Sequence, residues 1–305
     1  MKRKVVKLGP STLVISLPAK WTKETGIVAG KELEIIENSD GLQIQFGEKV
    51  KERKEISINI TNYSNAAVKN HLTHLYRTGL DKITLQNIKP EKHALVTETT
   101  RDLLLGFEVT QKEEKQWTLE NIVEPVDQKF ETILKRCFFT IKESITLTLN
   151  SFKNNEFNID EIQALRIQHD KFILFCKRIL TKRYSNYALN WELLTFLTHI
   201  QHAIYYLYKH TEKYKSKTNA TLLKYLDELQ EYFDYYYNAN YSNDMDMIVK
   251  INDLRNRYYT QEIPKLIAKG ENSIIYAYLR EIFRLIQIGM SPILSRLLQE
   301  NVSEH

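Results

Sequence analysis

Glycine is unevenly distributed along this chain of 305 residues. Five of the nine glycines lie within the first 47 residues, and only Gly270 and Gly289 follow residue 120. Tyrosine shows the opposite distribution, since sixteen of the eighteen tyrosines lie between Tyr184 and Tyr278. Glycine supplies the backbone conformations of tight turns and is unfavourable inside helices. The sequence therefore predicts a turn-rich N-terminal region joined to a helical C-terminal region.

Length and composition set the broad class. The chain is long enough for more than one domain, and its 43% hydrophobic and 27% charged residues are typical of a globular protein. It contains no run of about 18 apolar residues, so no transmembrane helix is predicted. The basic N-terminus lacks the apolar core of a signal peptide, which predicts a cytoplasmic protein without membrane insertion. The sequence predicts a multi-domain, mainly α protein. Its three parts are residues 1–48, 49–120 and 121–305.

The first part predicts four short strands and one short helix. The strands are predicted at residues 5–6, 13–17, 33–37 and 42–46, the helix at 18–25, and the turns at 9–10 and 38–41. Proline at the first helical position and Gly26 after the last one delimit the helix. A core built from about 48 residues is marginal without a metal, disulfides or a partner subunit. Because neither metal ligands nor paired cysteines occur here, an intertwined dimer is the remaining route.

The ordered motifs of this first part resemble the AbrB/SpoVT swapped-hairpin domain. The matching residues are the segments 4–9 and 11–18, followed by Trp21, Gly26, Gly30 and Asp40–Gly41. Pro10 and Lys31 depart from the usual pattern of the family. The resemblance implies a homodimer that binds double-stranded DNA through basic residues near the first strand.

Charge in the first part is one-sided, because six cations and no acidic residue occur up to residue 23. A polyanion is the natural partner of such a surface. The predicted DNA-binding residues are Lys2, Arg3, Lys4, Lys7, Ser11, Thr12, Lys20 and Lys23. The alternative is a solvated basic end of a module that only dimerises. Lysine and arginine contacts to phosphates give affinity without base selectivity, so the DNA sequence recognised is not predicted.

The second part, residues 49–120, predicts a small α/β connector. Strands are predicted at 56–60, 82–85, 107–110 and 116–119, and helices at 66–76 and 91–105. Neither a dinucleotide-binding glycine motif nor a phosphate-binding loop motif is present. The connector is therefore not predicted to bind a nucleotide.

The third part, residues 121–305, predicts six helices. They are expected at 124–152, 158–181, 190–215, 219–237, 242–268 with a bend or an end near Pro264, and from 272 across Gly289 and Pro292. Two sets of three predict two tandem three-helix bundles, at about 121–215 and 216–305. A cluster of tyrosines in the third, fourth and fifth helices is interpreted first as core and rim packing, and second as a protein-binding face.

The helix order and the segment from Asp170 to Arg178 resemble the PhoU family of phosphate-uptake regulators, whose stretch "D-R-L-Y-x-x-x-x-R" the segment matches in part. An AbrB-like head on a PhoU-like body is an arrangement associated with archaeal chains. The resemblance implies two repeated three-helix bundles and a role in phosphate homeostasis.

Metal binding is where this chain departs from the PhoU pattern. Carboxylate clusters bind metal ions in that family, but here His199 and His202 occupy the place of one acidic pair, and Asp170 stands alone downstream of Arg166. No cofactor is therefore firmly implied. The alternative is a metal ion held by Asp170 with His169, His199 and His202; the competing interpretation, helix-surface or bundle-boundary residues, has the greater weight.

Three functions remain to be compared. The first is a dimeric, DNA-binding regulator of phosphate uptake. The second is an adaptor whose N-terminal part only dimerises while the helices dock on a phosphate ABC transporter ATPase or a sensor kinase. An enzyme is not predicted, because the sequence contains no recognisable nucleophile with a base, no paired catalytic carboxylates and no phosphate loop.

Overall fold

The computed structural model describes residues 2–38, 41–46, 53–123, 129–183, 187–242 and 244–303. The chain divides into two units, Met1–Arg53 and Lys54–His305. The first unit is small, and its described residues form short strands and one helix. The second unit contains an α/β part followed by a long helical part, so the molecule is mainly helical, as predicted.

Two hairpins and a short helix form the first unit. Its elements are β1 (Val5–Leu8), β2 (Thr12–Ile15), α1 (Ala19–Thr25), β3 (Glu34–Asn38) and β4 (Gly41–Gln45). β1 pairs antiparallel with β2, and β3 pairs antiparallel with β4. The helix begins one residue later than predicted, with Pro18 at its N-cap, and ends at Gly26, whose φ of 72° lies in the left-handed region. Ser39 and Asp40 of the predicted turn 38–41 lie outside the described residues.

The α/β part of the second unit is a four-stranded sheet with two helices. Its elements are β5 (Glu55–Asn59), α2 (Asn65–Arg77), β6 (Lys82–Gln86), α3 (His93–Leu103), β7 (Phe107–Lys112) and β8 (Gln116–Asn121). The strand order is β5-β6-β8-β7, with only the β5–β6 pair parallel. A side-chain cap starts α2, because Ser64 accepts a hydrogen bond from the amide of Ala67. The four strands and two helices predicted for the connector are all present in the structure.

Four long helices open the helical part. They are α4 (Phe130–Asn154), α5 (Ile159–Arg183), α6 (Ala188–Tyr214) and α7 (Ala220–Ser242). The apolar residues of α4 from Cys137 to Leu149 that are spaced three and four apart form a buried stripe. The predicted helix start at residue 124 lies outside the described residues, since 124–128 are not described.

The last two predicted helices are each interrupted. The fifth consists of α8 (Met245–Asn256), a π-helical turn (Arg257–Gln261) and α9 (Glu262–Ala268). Pro264 cannot donate to the carbonyl four residues before it, so the regular ladder is lost in the turn that precedes the proline. The prediction that the last helix crosses Gly289 is wrong, because α10 (Ser273–Ile288) ends before this glycine and α11 (Met290–Ser303) begins after it.

Helix packing brings two sets of three together. α4, α5 and α6 contact one another, as do α7, α8 and α10, and the contacts α4–α7 and α6–α10 join the sets. Tyr208, Tyr232 and Tyr236 are buried in this core, whereas Tyr206 and Tyr214 are exposed. Core packing is therefore the main role of the tyrosine cluster. No described helix is long and apolar enough to cross a membrane.

Arg178 on α5 connects the helical part to the α/β part of the second unit. Its side chain is fully buried and donates to the carbonyl oxygens of Tyr76 at 3.0 Å and Leu80 at 2.6 Å. It also lies 3.0 Å from the carboxylate of Asp81, which Lys182 contacts at 2.5 Å. These contacts hold α2 and the start of β6 against α5, and so position α2 beside the helical part.

Candidate functional site

All eight residues predicted to bind DNA are exposed in the first unit. Lys2, Arg3 and Lys4 precede β1, and Lys7 lies within it. In the hairpin register Lys7 is opposite Leu13, so the two side chains lie on the same face of the hairpin. Exposed cations are free to approach phosphate groups without first leaving a buried environment.

Ser11 and Thr12 lie at the turn of the first hairpin. Gly9 has a φ of +78°, a left-handed conformation that glycine adopts without strain. Thr12 is the first residue of β2 and pairs with Leu8. Hydroxyl groups at such a tip can donate to phosphate oxygens, which is compatible with the predicted role.

Lys20 and Lys23 extend the basic surface onto α1. The ammonium of Lys20 lies 3.9 Å from the carboxylate of Glu24, and both side chains are exposed. An exposed ion pair of this kind contributes little to stability, so Lys20 loses little when it exchanges Glu24 for another anion.

Several apolar side chains of the first unit are also exposed. Val5, Leu8, Leu13 and Leu42 are each between 59% and 70% exposed, and none of the residues of this unit with described burial is buried. Because successive strand residues point to opposite faces, Leu8 and Leu13 place apolar groups on both faces of the first hairpin. A two-stranded hairpin without a covered apolar face is marginally stable in water. The unit therefore lacks a core of its own.

Two of the four candidate metal ligands come together in the helical part. Nε2 of His202 on α6 donates to Oδ1 of Asp170 on α5 at 2.8 Å. Nε of Arg166, one turn earlier on α5, lies 3.9 Å from the other carboxylate oxygen. Burial by itself raises the pKa of Asp170, but the His202 hydrogen bond and the nearby charges outweigh it, so the pKa lies below its usual value. Asp170 is thus an ionised carboxylate held by donors.

The other two candidates point to no shared site. His169 is fully buried, and its Nδ1 lies 2.9 Å from Oγ1 of Thr140 on α4. His199 is exposed by its side-chain accessibility, but part of its ring has lost hydration against the helices. This desolvation, followed by the charges of His202 and Lys177, lowers the pKa of His199. Within the described ranges, no three histidine, cysteine or carboxylate side chains are grouped so that they could hold a metal ion.

Sequence reasoning missed a group of basic residues around Asp170. Lys69 and Arg77 on α2 and Arg166 and Lys177 on α5 line one cavity with Asp170 and His202. The signal was present in the helix spacing, because residues eight apart on α2 and eleven apart on α5 lie on one face of each helix. What the sequence could not supply is the packing of α2 against α5.

Comparison of the chain with models of protein families, with curated proteins and with solved structures finds no match.

Proposed function

We propose that this protein is a DNA-binding regulator of phosphate uptake that acts as a homodimer through its first unit. The observation that carries the proposal is the combination, in one small unit, of exposed cations with exposed apolar side chains. The cations suit a polyanion, and the apolar side chains suit a second copy of the same unit.

Pairing of two copies would place twelve cations of residues 2–23 in one dimer, six from each chain. Neutralising phosphates releases condensed counterions, so affinity for duplex DNA falls steeply as salt rises. The proposal therefore predicts binding that is strong at about 50 mM salt and weak at about 200 mM salt.

The test is a salt titration of duplex binding with full-length protein. The test variant changes Lys2, Arg3, Lys4 and Lys7 together to Ala. We expect this variant to reduce the slope of log K against log salt by about 0.9 for each phosphate that it no longer neutralises.

The matched control removes the same number of charges from exposed positions of the second unit. It changes Lys89, Lys115, Lys265 and Lys269 to Ala. This control should bind DNA like the wild type. If the first variant folds and keeps the wild-type affinity and slope, the first unit is not the binding element. Absence of any duplex binding at about 50 mM salt, with co-purification of transporter components, would favour the adaptor function instead.

Support for phosphate as the regulated process comes from the helical part. Two sets of three helices in mutual contact, α4, α5 and α6 and then α7, α8 and α10, support the PhoU-like order. Both ends of the matching stretch have defined contacts: Asp170 with His202, and Arg178 with Asp81. Deletion of the gene should alter transcription of phosphate-transport genes when phosphate becomes limiting. Unchanged transcription in both phosphate regimes would remove this part of the proposal.

A further inference from the structure

A cavity of about 260 Å³ lies between α2 of the α/β part and α5 and α6 of the helical part, all within the second unit. The four lysine and arginine side chains that line it are Lys69, Arg77, Arg166 and Lys177. Asp170 is the one carboxylate among the described residues of the lining. Positive charge therefore exceeds negative charge at this site.

Both carboxylate oxygens of Asp170 already have neighbours on α5 or α6. One carboxylate oxygen accepts from His202 at 2.8 Å, and the other lies 3.9 Å from Nε of Arg166. Arg166 is also stacked near aromatic faces, with Cζ 4.5 Å from the ring centroid of Tyr205. A guanidinium has five N–H donors, more than the contact with Asp170 can use.

Lys177 is the least hydrated of these cations, with only 6% of its surface exposed. Its Nζ donates to Oγ1 of Thr195 at 3.1 Å and lies 5.0 Å from the ring centroid of Trp191. Burial, followed by repulsion from Arg77, lowers the pKa of Lys177 to about 8. A buried ammonium without a carboxylate partner is costly, and an anion placed beside it would offset that cost.

The repulsion extends to the neighbouring histidines. Burial, and then the charges of Arg77 and Lys177 among others, lowers the pKa of His74 on α2. The same burial effect, followed by His202 and Lys177, lowers the pKa of His199 on α6. Lys177 is thus one of the charges that lower the pKa of a histidine on each of these two helices.

We propose that this cavity binds a small tetrahedral oxyanion of the phosphate class, held by Arg77, Arg166 and Lys177. Guanidinium and ammonium groups supply charge-assisted donors in the arrangement that phosphate oxygens accept. The volume is below the roughly 300–1,000 Å³ of pockets for drug-sized ligands, which favours inorganic phosphate or the phosphate of a small ester over a nucleotide. The site lies in the second unit, and its occupancy does not require DNA binding by the first.

Calorimetric titration of the full-length protein tests the proposal. Inorganic phosphate and glycerol phosphate are titrated separately against a sodium chloride control of matched ionic strength. We expect saturable binding, one anion per chain, by at least one of them. Tighter binding of inorganic phosphate identifies the free anion as the ligand, and tighter binding of glycerol phosphate identifies a phosphate ester. Both results support the site.

Two variants and a matched control make the assignment specific. Lys177→Met keeps the long stem but removes the charge, and Arg166→Gln removes the guanidinium; each should weaken binding about tenfold or more. Lys177→Met should in addition raise the melting temperature of the phosphate-free protein, because it removes a buried charge. Lys171→Met, on the same helix but lining a different groove, should leave phosphate binding unchanged.

Two results would overturn the proposal. One is the absence of saturable binding by either anion up to roughly 10 mM, about tenfold above a dissociation constant of 1 mM. The other is equal affinity in wild type, Lys177→Met and Arg166→Gln. Since neither measurement contains DNA, a negative result here leaves the DNA-binding proposal standing, and loss of DNA binding in the first-unit variant leaves the phosphate titration unaffected.

Discussion

His169 shows how burial alone can change the acid–base behaviour of a residue. Its ring is fully buried between α4 and α5, near Thr140. Burial lowers its pKa to about 4; attraction to the neighbouring Asp170 opposes this effect, and repulsion by His202 adds to it. The folded protein therefore keeps His169 neutral at a pH at which the unfolded chain, with a pKa near 6.5, is protonated.

We expect this difference to make stability fall with acidification. Below about pH 6.5 the unfolded state binds the extra proton, so stability decreases as the pH falls from about 6.5 to about 4. Between pH 7 and pH 5 the loss is about 2 kcal/mol. Urea unfolding at both pH values should show this loss in wild type and in the exposed control His71→Gln, but a smaller loss in His169→Gln. Equal pH dependence in all three would contradict the assignment.

Gly289 lies where another backbone atom and a side chain approach closely. A Cβ at this position would lie 2.8 Å from the hydroxyl oxygen of Tyr236 and 2.9 Å from the carbonyl oxygen of Leu285. The Tyr236 hydroxyl also donates to the Gly289 carbonyl at 3.1 Å. The break between α10 and α11 thus coincides with a residue that has no room for a side chain.

Gly289→Ala should destabilise the protein by about 1–3 kcal/mol through overpacking. The cost should be smaller in a Tyr236→Phe background, because the hydroxyl that meets the new methyl group is then absent. A double-mutant cycle measured by urea unfolding gives the coupling. Additive effects of the two substitutions would show that the Tyr236 contact does not set the cost.

At the scale of the element, the sequence predicts helices better than it predicts their interruptions. Apolar spacing identified α4 to α7 and placed the buried stripe of α4, because burial of one face is what that spacing encodes. The same spacing continues through the π-helical turn before Pro264 and past Gly289, where Ile286 and Met290 are both buried. The interruption near Pro264 was predicted from the proline itself, which cannot continue the helical hydrogen-bond ladder. The close approach at Gly289 leaves no mark in an apolar pattern, so this break became visible only in the structure.

The junction of α2, β6 and α5 depends on Asp81. Its carboxylate faces the fully buried Arg178 and the partly buried Lys182. Burial by itself raises the pKa of Asp81, but the hydrogen bond from Lys182 and the positive charges around it lower the pKa below its usual value. The ionised form therefore stabilises the folded state at pH values above about 3.8, and this stabilisation is lost as the pH falls below that value.

Asp81→Asn should destabilise the protein by about 3–5 kcal/mol, since it breaks the buried ion pair between Asp81 and Arg178. It should also remove part of the loss of stability in acid. Unfolding by urea at pH 7 and by acid measures the two effects. Asp102→Asn, which removes an exposed pair with Arg101, is the control and should change stability little. An equally small effect of both substitutions would show that Arg178 is satisfied without Asp81.

At the scale of the molecule, the candidate sites differ in how far the sequence reveals them. The basic segment of residues 2–23 is contiguous, so charge counting found it without a structure. The cationic cavity joins Lys69 and Arg77 to Lys177, about a hundred residues away, and needs the packing of α2 on α5 to exist. Charges that meet only through tertiary packing carry no local signal, so the sequence predicts no anion site around Asp170.

Dimerisation through the first unit is the remaining property to test on the whole molecule. Leu13 is 70% exposed on a hairpin that has no buried residue, so a second copy would gain by covering it. Covering one such side chain contributes about 1.5–3 kcal/mol, and a dimer contains two of them. Leu13→Asn should therefore raise the dimer dissociation constant about a hundredfold or more, measured by analytical ultracentrifugation of the full chain. Val249→Asn, at an exposed position of α8, should leave the constant unchanged.

DNA binding by Leu13→Asn should be weak at low protein concentration and recover as the concentration rises, because the cations themselves are intact. A dimer of wild-type affinity in Leu13→Asn would show that the exposed hairpin is not the interface.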